Sequence, residues 1–298
     1  MARRPRLNAD FALESATGHL YRNIQHIGGG GTAETHVVLA TNGPNRGLLF
    51  TAKIFSRLSK PEWRNSFLNE HAFLSKCDHP AILRVYDQGI HLGEAPFIVT
   101  ECLSDTLAKS RRALRRIEQL SLATQLLSAL AYLDNHEPRV VHRDIKPTNI
   151  FFKGESWVLG DFGLLKQLPL ADDRDRELLK ESLGPGMPQN YRTPDLVEYL
   201  RGGAPPTPKS DVFQLGLVLA EVFTGKNPHK PATTFESEVG LDPLAPITEA
   251  HGAPIAELLN RMLSIRPEDR PSAADVLPQW QDQLLLEARR SRLRRTNK

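Results

Sequence analysis

The chain has 298 residues, of which 40% are hydrophobic and 24% charged, and its formal net charge is +3. This composition is typical of a globular protein that forms a core without disulfide or metal staples. The two cysteines, Cys77 and Cys102, exclude a disulfide framework and a cysteine-based zinc site, and they favour reduced thiols in a cytoplasmic protein.

No apolar run approaches the ~18 residues that a membrane-spanning helix needs. The longest candidate, Val212–Phe223, is interrupted by Gln214 and Glu221 and predicts a buried core helix. Met1–Asp10 has arginines but no long apolar stretch behind them, so no secretory signal is expected. Both ends are basic, which predicts solvated termini, and binding of nucleic acid or anionic lipid is the alternative.

The first third of the chain has strand-like patterns after an extension over residues 1–20, which we expect to be irregular. Val37–Ala40 and Leu48–Phe50 flank a turn-rich stretch and predict a hairpin. A helix is expected over Trp63–Lys76, followed by a short apolar strand over Pro96–Thr100.

Beyond Thr106 the pattern becomes helical. Leucines recur at helical spacing at positions 122, 126, 130 and 133. A second hairpin is predicted around Lys153–Glu155, and later helices are predicted over Val212–Phe223, Ile255–Leu263 and Ala273–Leu286. A strand-rich first third and a helix-rich remainder predict an α+β protein with two lobes and a ligand-binding cleft between them.

Two motifs follow each other in the second part of the chain. The segment His142–Asn149 reads HRDIKPTN, and Asp161–Gly163 reads DFG. Together they resemble the catalytic loop and the metal-binding motif of the protein kinase family. The resemblance covers residues 21–285 and implies a bilobal kinase fold with a small β-rich N-lobe and a larger helical C-lobe.

The resemblance implies transfer of the γ-phosphoryl group of ATP to a protein hydroxyl. Asp144 would be the catalytic aspartate, Lys146 would neutralise the γ-phosphate, and Asn149 and Asp161 would hold Mg²⁺, with Mn²⁺ a second ion that fits the same oxygen ligands. The lysine two positions after this aspartate, Lys146, resembles the residue that the serine/threonine branch of the family has there.

The first lobe would contribute phosphate-binding and adenine-binding residues. Lys53, which follows Thr51 and Ala52, resembles the family lysine that contacts the α and β phosphates, with Glu70 as its partner. The glycine-rich segment, Ile27–Thr35, resembles the family's phosphate-binding loop. It keeps Gly28 and Gly30 but has Ala33 in place of the family's third glycine. The resemblance places the nucleotide against Ile27, Gly28, Gly29, Gly30, Gly31, Thr35, Thr51, Lys53, Thr100, Glu101, Leu103 and Phe151.

The segment that follows the metal-binding motif also resembles the family. Tyr191–Asp195 is similar to the end of an activation segment, and Arg270 is the expected ion-pair partner of Asp195. Arg143 is of the type that pairs with an activating phosphate, for which Ser182 is the candidate and would be a site of autophosphorylation. The alternative is a segment held by fixed carboxylates at positions 172, 173, 175 or 177.

The expected organisation is an extension (1–20), a kinase domain (21–285) and a basic tail (286–298). Within the domain we expect an N-lobe over 21–100, a hinge over 101–105 and a C-lobe over 106–285.

Protein substrates are the expected partners, and nucleic acid is not an expected partner. A pseudokinase scaffold, a small-molecule phosphotransferase and a nucleic-acid binder remain alternatives. An arginine stripe over residues 111–116 predicts either a solvated helix face or a site for an acidic partner or nucleic acid.

Overall fold

The computed structural model describes residues 11–29, 33–57, 61–103, 105–110, 113–167, 173–182, 189–247 and 252–296. The chain divides into two units, residues 1–104 and 105–298. The first is rich in strands and the second in helices, as the sequence predicts. None of the helices in the described ranges is long and apolar enough to cross a bilayer.

The described part of the first unit contains an antiparallel sheet of six strands, in the order β1-β2-β3-β4-β6-β5, and one helix. The predicted first hairpin is confirmed, since Val38 pairs with Phe50 and Leu39 with Leu49. The strands are β1 (Ala12–Glu14), β2 (Leu20–Gly29), β3 (Ala33–Ala40), β4 (Leu49–Phe55), β5 (Val85–His91) and β6 (Ala95–Glu101).

Residues 11–20 differ from the irregular extension that the sequence predicts. Ala12–Glu14 forms an edge strand on β2, and Leu13 is completely buried in the core of the sheet. A strand of three residues has too few positions to show an apolar alternation, which explains why the sequence pattern does not reveal it.

The two faces of this sheet have different roles. On β3, Val38 and Ala40 are buried on one face with Phe50 and Phe97, while Val37 on the other face is only partly buried. Alternation along β3 therefore gives one core face and one face that is only partly buried, whereas β6 is buried on both faces. Helix α1 (Pro61–Leu74) starts two residues earlier than the predicted helix and ends two residues sooner.

Helices make up most of the second unit. The predicted leucine stripe is confirmed, because Leu122, Leu126, Leu130 and Leu133 are all at most 3% exposed. The helices are α2 (Arg116–Asp134), α3 (Asp173–Ser182), α4 (Pro194–Leu200), α5 (Pro208–Thr224), α6 (Gly252–Met262) and α7 (Ala273–Thr296).

Two short antiparallel ribbons complete the described part of the second unit. The strand β7 (Val140–Val141) pairs with β10 (Lys166–Gln167), and β8 (Ile150–Lys153) pairs with β9 (Ser156–Leu159). The second pair is the predicted hairpin, with Gly154 at a φ of 63° in its turn.

Helix α7 is longer than the predicted Ala273–Leu286 and reaches Thr296. The added residues contain no glycine or proline and are mostly arginine, leucine and alanine, which are strong helix formers. Most of the basic C-terminal segment is therefore helical.

Helix α5 allows a direct test of the core. Leu217 is completely buried there, whereas Leu285 on α7 is 55% exposed. We expect Leu217→Ala to lower the free energy of unfolding by about 2–5 kcal/mol, because it leaves a cavity. Leu285→Ala should change that free energy by less than about 0.5 kcal/mol. Urea denaturation measures both, and equal effects would contradict the assignment of α5 to the core.

Candidate active site

In the first unit, Lys53 on β4 and Glu70 on α1 form the ion pair that the sequence predicts. The Lys53 Nζ lies 3.0 Å from Glu70 Oε1 and 3.1 Å from Oε2. The lysine side chain is 21% exposed, whereas the glutamate side chain is only 3% exposed. The buried carboxylate therefore fixes an ammonium group that still reaches solvent.

Strand register brings the predicted nucleotide-binding side chains of the first unit onto one face of the sheet. Thr35 pairs with Lys53, and Thr51 pairs with Thr100 on the neighbouring strand. Directly opposite residues point to the same side of a sheet. The Thr100 hydroxyl is buried and lies 3.4 Å from the carbonyl oxygen of Thr51.

The predicted glycine-rich segment is described at its two ends. Gly28 has a φ of 155°, which a side chain would disfavour, and Ile27 beside it is 48% exposed. Gly30 and Gly31 lie outside the described residues. Glu101 ends β6, and both Glu101 and Leu103 are partly exposed.

In the second unit, the predicted catalytic loop is held by the first turns of α5. The buried Asp211 carboxylate accepts hydrogen bonds from the backbone N–H groups of His142 (2.7 Å) and Arg143 (2.9 Å). The Gln214 amide accepts from the Ile145 N–H at 2.8 Å and donates to the Arg143 carbonyl at 3.2 Å. These bonds hold Arg143 at a φ of 67°, a conformation that is unusual for a residue with a side chain.

The sequence pattern alone does not predict this role for Asp211 and Gln214. A signal was available, because an aspartate and a glutamine three positions apart stand within the mostly apolar run that α5 forms. Burial raises the pKa of Asp211 to about 7, and the two N–H donors partly oppose that rise.

Asp144, Lys146 and Asn149 form one hydrogen-bonded cluster. Lys146 Nζ lies 2.9 Å from Asp144 Oδ2, and the Asn149 side-chain amide donates to the same oxygen at 2.9 Å and to the Asp144 carbonyl at 2.8 Å. The structure therefore brings together three of the residues to which the sequence assigns chemistry.

Asp161 joins this cluster electrostatically and through the backbone. Burial raises the pKa of Asp144 to about 6, the negative charge of Asp161 adds to this rise, and Lys146 and Asn149 oppose it. The N–H of Gly160 donates to the carbonyl of Asn149 at 2.9 Å, and a His142 ring nitrogen lies 3.2 Å from the Gly160 carbonyl. The DFG motif is thereby tied to the catalytic loop.

Phe151 follows Asn149 by two positions, and Phe162 directly follows Asp161. Phe151 is partly buried on β8, opposite Val158. Phe162 is buried, and its ring centroid lies 4.5 Å from that of His142. Phe162 thus anchors the residue next to Asp161, whose backbone has a φ of 57°.

The oxygen atoms of Asn149 and Asp161 are suitable ligands for a hard divalent cation. Because the Asn149 nitrogen is the donor to Asp144, its Oδ1 is an acceptor, and the contact found for it is the Thr148 hydroxyl at 3.3 Å. An amide oxygen and the exposed carboxylate of Asp161 are the ligand types that Mg²⁺ prefers.

Arg143 pairs with a fixed carboxylate. Its guanidinium nitrogens Nη1 and Nη2 lie 2.6 and 3.2 Å from the two oxygens of Asp175 on α3, and both side chains are at most 5% exposed. The Tyr199 hydroxyl adds a third bond to this carboxylate at 3.2 Å. Ser182 ends α3, but its side chain is outside the described part of the structure.

The expected pair of Asp195 and Arg270 is confirmed. Arg270 Nη1 lies 2.9 Å from Asp195 Oδ2, with side-chain exposures of 0% and 6%. The same guanidinium also donates to the backbone carbonyls of Ser264 and Lys209, and it stacks on Phe213 at 4.8 Å. The end of the predicted activation segment is thus anchored to the body of the second unit.

Two arginines of the predicted stripe have partners within the chain. Arg115, whose side chain is 68% exposed, pairs with Glu118 at 3.1 Å, and Arg116 lies over the ring of Phe223 at 5.0 Å. Arg111 and Arg112 lie outside the described residues.

The sequence profile of the protein kinase domain matches residues 21–280. The chain belongs to the protein kinase family. The resemblance seen in the motifs is therefore confirmed, and the strand-rich and helix-rich units are the N-lobe and C-lobe of the α+β kinase fold.

Curated relatives of this kinase domain are serine/threonine-protein kinases. The probable serine/threonine-protein kinase nek3 of Dictyostelium discoideum is 31% identical over 274 residues, covering 86% of this chain and 23% of its own length. PLK2 of Mus musculus is 28% identical over 274 residues, covering 89% of this chain and 38% of its own length. PkaA of Streptomyces coelicolor is 30% identical over 221 residues, covering 70% and 38%. The chain thus spans less than half the length of each of these relatives.

The buried pair in the C-lobe can be tested by mutation. We expect Asp195→Ala to lower the free energy of unfolding by about 3–5 kcal/mol, because it leaves the Arg270 guanidinium buried without a counter-charge. The matched control is Glu268→Ala, which breaks an exposed pair with Arg266 and should leave that free energy essentially unchanged. Urea denaturation of both variants is the measurement, and an Asp195→Ala protein as stable as the control would contradict the role of the pair.

Proposed function

We propose that the chain is an active serine/threonine protein kinase that transfers the γ-phosphoryl group of ATP to a protein hydroxyl. The observation that carries the proposal is the cluster of Asp144, Lys146 and Asn149, held beside Asp161 by a buried aspartate. Phosphoryl transfer depends mainly on positioning and on neutralisation of charge, and this cluster supplies a carboxylate, an ammonium and an amide in fixed positions.

The N-lobe residues would bind the nucleotide. Lys53, held by Glu70, would contact the α and β phosphates, and the backbone N–H groups of Gly28–Gly31 would approach the phosphate chain. The remaining predicted contacts would surround the adenine and ribose, namely Ile27, Thr35, Thr51, Thr100, Glu101, Leu103 and, from the C-lobe, Phe151.

The C-lobe residues would carry the chemistry. Asn149 and Asp161 would hold Mg²⁺, which would neutralise negative charge on the phosphates; Mn²⁺ would fit the same ligands. Asp144 would orient the substrate hydroxyl and accept its proton as the new O–P bond forms and the bond from the γ-phosphorus to ADP breaks. Lys146 would offset the negative charge of the transferred group.

The Arg143–Asp175 pair supports an activation segment that needs no phosphate. In this proposal Asp175 supplies the negative charge that an activating phosphate supplies in switched kinases. A buried, bidentate contact satisfies the arginine permanently, so Ser182 would not be required as a switch.

A pseudokinase scaffold is the second candidate. Ala33 in the glycine-rich segment favours it, and the inactive serine/threonine-protein kinase PLK5 of Mus musculus is 28% identical over 91% of this chain. The complete set of Lys53, Glu70, Asp144 and Asp161 favours the active enzyme. Protein substrates and a cytoplasmic location stay predictions, the latter from cysteine usage.

A transfer assay separates the two candidates. We expect the chain to phosphorylate serine or threonine in a peptide mixture from radiolabelled ATP with Mg²⁺, and Asp144→Asn to lower kcat by about 100-fold or more, because general base catalysis typically contributes that much. Asp134→Asn, at the end of α2, makes the same chemical change outside the cluster and should leave kcat unchanged.

The pseudokinase hypothesis predicts a different result in this assay. ATP binding with no phosphate transfer by the unaltered chain would contradict the proposed activity. Mass-spectrometric mapping of the phosphorylated sites shows whether the acceptor is serine or threonine.

The activation proposal has its own pair of variants. Ser182→Ala should keep the kcat of the unaltered chain, because Asp175 already neutralises Arg143. Asp175→Asn should lower kcat and also cost about 2 kcal/mol of stability, since charge-assisted hydrogen bonds are lost in a buried position. Kinetics and urea denaturation measure the two effects, and loss of activity in Ser182→Ala would show that a phosphoserine switch is needed.

A further inference from the structure

Three potential metal ligands converge on the N-lobe sheet where β2 and β3 approach their connection. They are His26, Glu34 and His36, and their ligand atoms all lie within 4.8 Å of one another. His26 and His36 are directly opposite on the two strands, and Glu34 precedes His36 by two positions on the same face of β3. The register shifts between His26 and Gly28, as in a β-bulge, which re-aims side chains at the end of a ribbon.

His36 has the geometry of a metal ligand. Its side chain is only 4% exposed, and its Nδ1 lies 3.1 Å from Oδ1 of Asn23. An amide oxygen can only accept, so Nδ1 carries the proton and Nε2 carries the lone pair. A second-sphere hydrogen bond of this kind fixes the tautomer and the ring orientation of metal-binding histidines.

The buried Nε2 of His36 makes no hydrogen bond within the described part of the chain. Oε2 of Glu34 is 3.8 Å away and can only accept when ionised, and the ring centroid of His26 is 4.9 Å from that of His36. Within the described ranges this buried acceptor therefore faces a second acceptor and a second imidazole, with no positive group bonded to it. A bound cation would supply such a group.

We propose that His26, Glu34 and His36 bind a divalent transition-metal ion, with Zn²⁺ the ion that this ligand set suits best. Two imidazoles and one carboxylate are a known zinc set, and they leave a fourth position for water or another ligand. Ligand atoms in a tetrahedral site with bonds of about 2.0–2.1 Å lie about 3.4 Å apart. His26 is exposed and the Glu34 side chain is 24% exposed, so both can rotate inward by the remaining distance.

This ion is distinct from the Mg²⁺ of the proposed phosphoryl transfer. Glu34 and His36 alternate along β3 with Thr35, which shares the opposite face of the sheet with Lys53. A metal bound here would join β2 to β3 just outside the glycine-rich segment and would stabilise the ribbon that carries it. The proposal does not depend on catalysis, because none of its ligands belongs to the proposed catalytic or nucleotide-binding set.

Metal titration of the whole chain tests the site. The protein is stripped with a chelator, and Zn²⁺ is then added in competition with a chromophoric chelator. We expect one equivalent to bind, with affinity at least 10-fold weaker in His26→Ala and Glu34→Ala. Asn23→Ala, which removes the second-sphere bond, should weaken binding by about 10- to 100-fold. The control His136→Ala removes a histidine from the C-lobe and should bind as the unaltered chain does.

Two further measurements separate this site from adventitious binding. Zn²⁺ should raise the thermal midpoint of the unaltered chain but not that of His26→Ala, whose exposed position leaves the apo fold intact. Co²⁺ should give the visible absorption of a tetrahedral complex only when all three ligands are present. No binding by the unaltered chain, or equal affinity in all variants, would overturn the proposal.

Discussion

The geometry of the candidate catalytic loop depends on one buried carboxylate. Asp211 accepts the backbone N–H groups of His142 and Arg143 from the first turn of α5, and Gln214 one turn later holds Ile145 and the Arg143 carbonyl. Arg143 keeps a positive φ that an ordinary residue reaches only at a cost, and these bonds offset that cost. The side chains that follow in the loop are positioned from this backbone, so the core helix and the chemistry are parts of one arrangement.

Ion pairs with at least one buried partner then fix side chains that the backbone does not hold. Lys53–Glu70 sets an ammonium on the N-lobe sheet, Arg143–Asp175 holds helix α3 to the catalytic loop, and Asp195–Arg270 anchors the end of the activation segment. Such pairs gain little net free energy compared with apolar packing, but breaking one is costly because the remaining charge is buried alone. They therefore act mainly by selecting one geometry.

Sequence patterns were most reliable where many positions repeat the same signal or where a motif is long. The α2 leucine stripe, the two hairpins and the HRDIKPTN and DFG motifs were read directly, and the pairs Lys53–Glu70 and Asp195–Arg270 followed from the family resemblance. Short or atypical elements were not predicted from the sequence. Strand β1 has only three residues, and α7 continues through a basic segment that resembles a solvated tail.

The sequence by itself determined the family, the strand-rich first third and helix-rich remainder, and the residue types available for phosphoryl transfer. Only the tertiary structure decided which distant residues meet: Asp211 with the catalytic loop, Asp175 rather than another acid with Arg143, and Asn23 with a histidine that shares its neighbourhood with His26 and Glu34. The physical reason is that composition and periodicity report on each residue's own burial. Partners separated along the chain are selected by strand register and helix packing, which a local pattern does not encode.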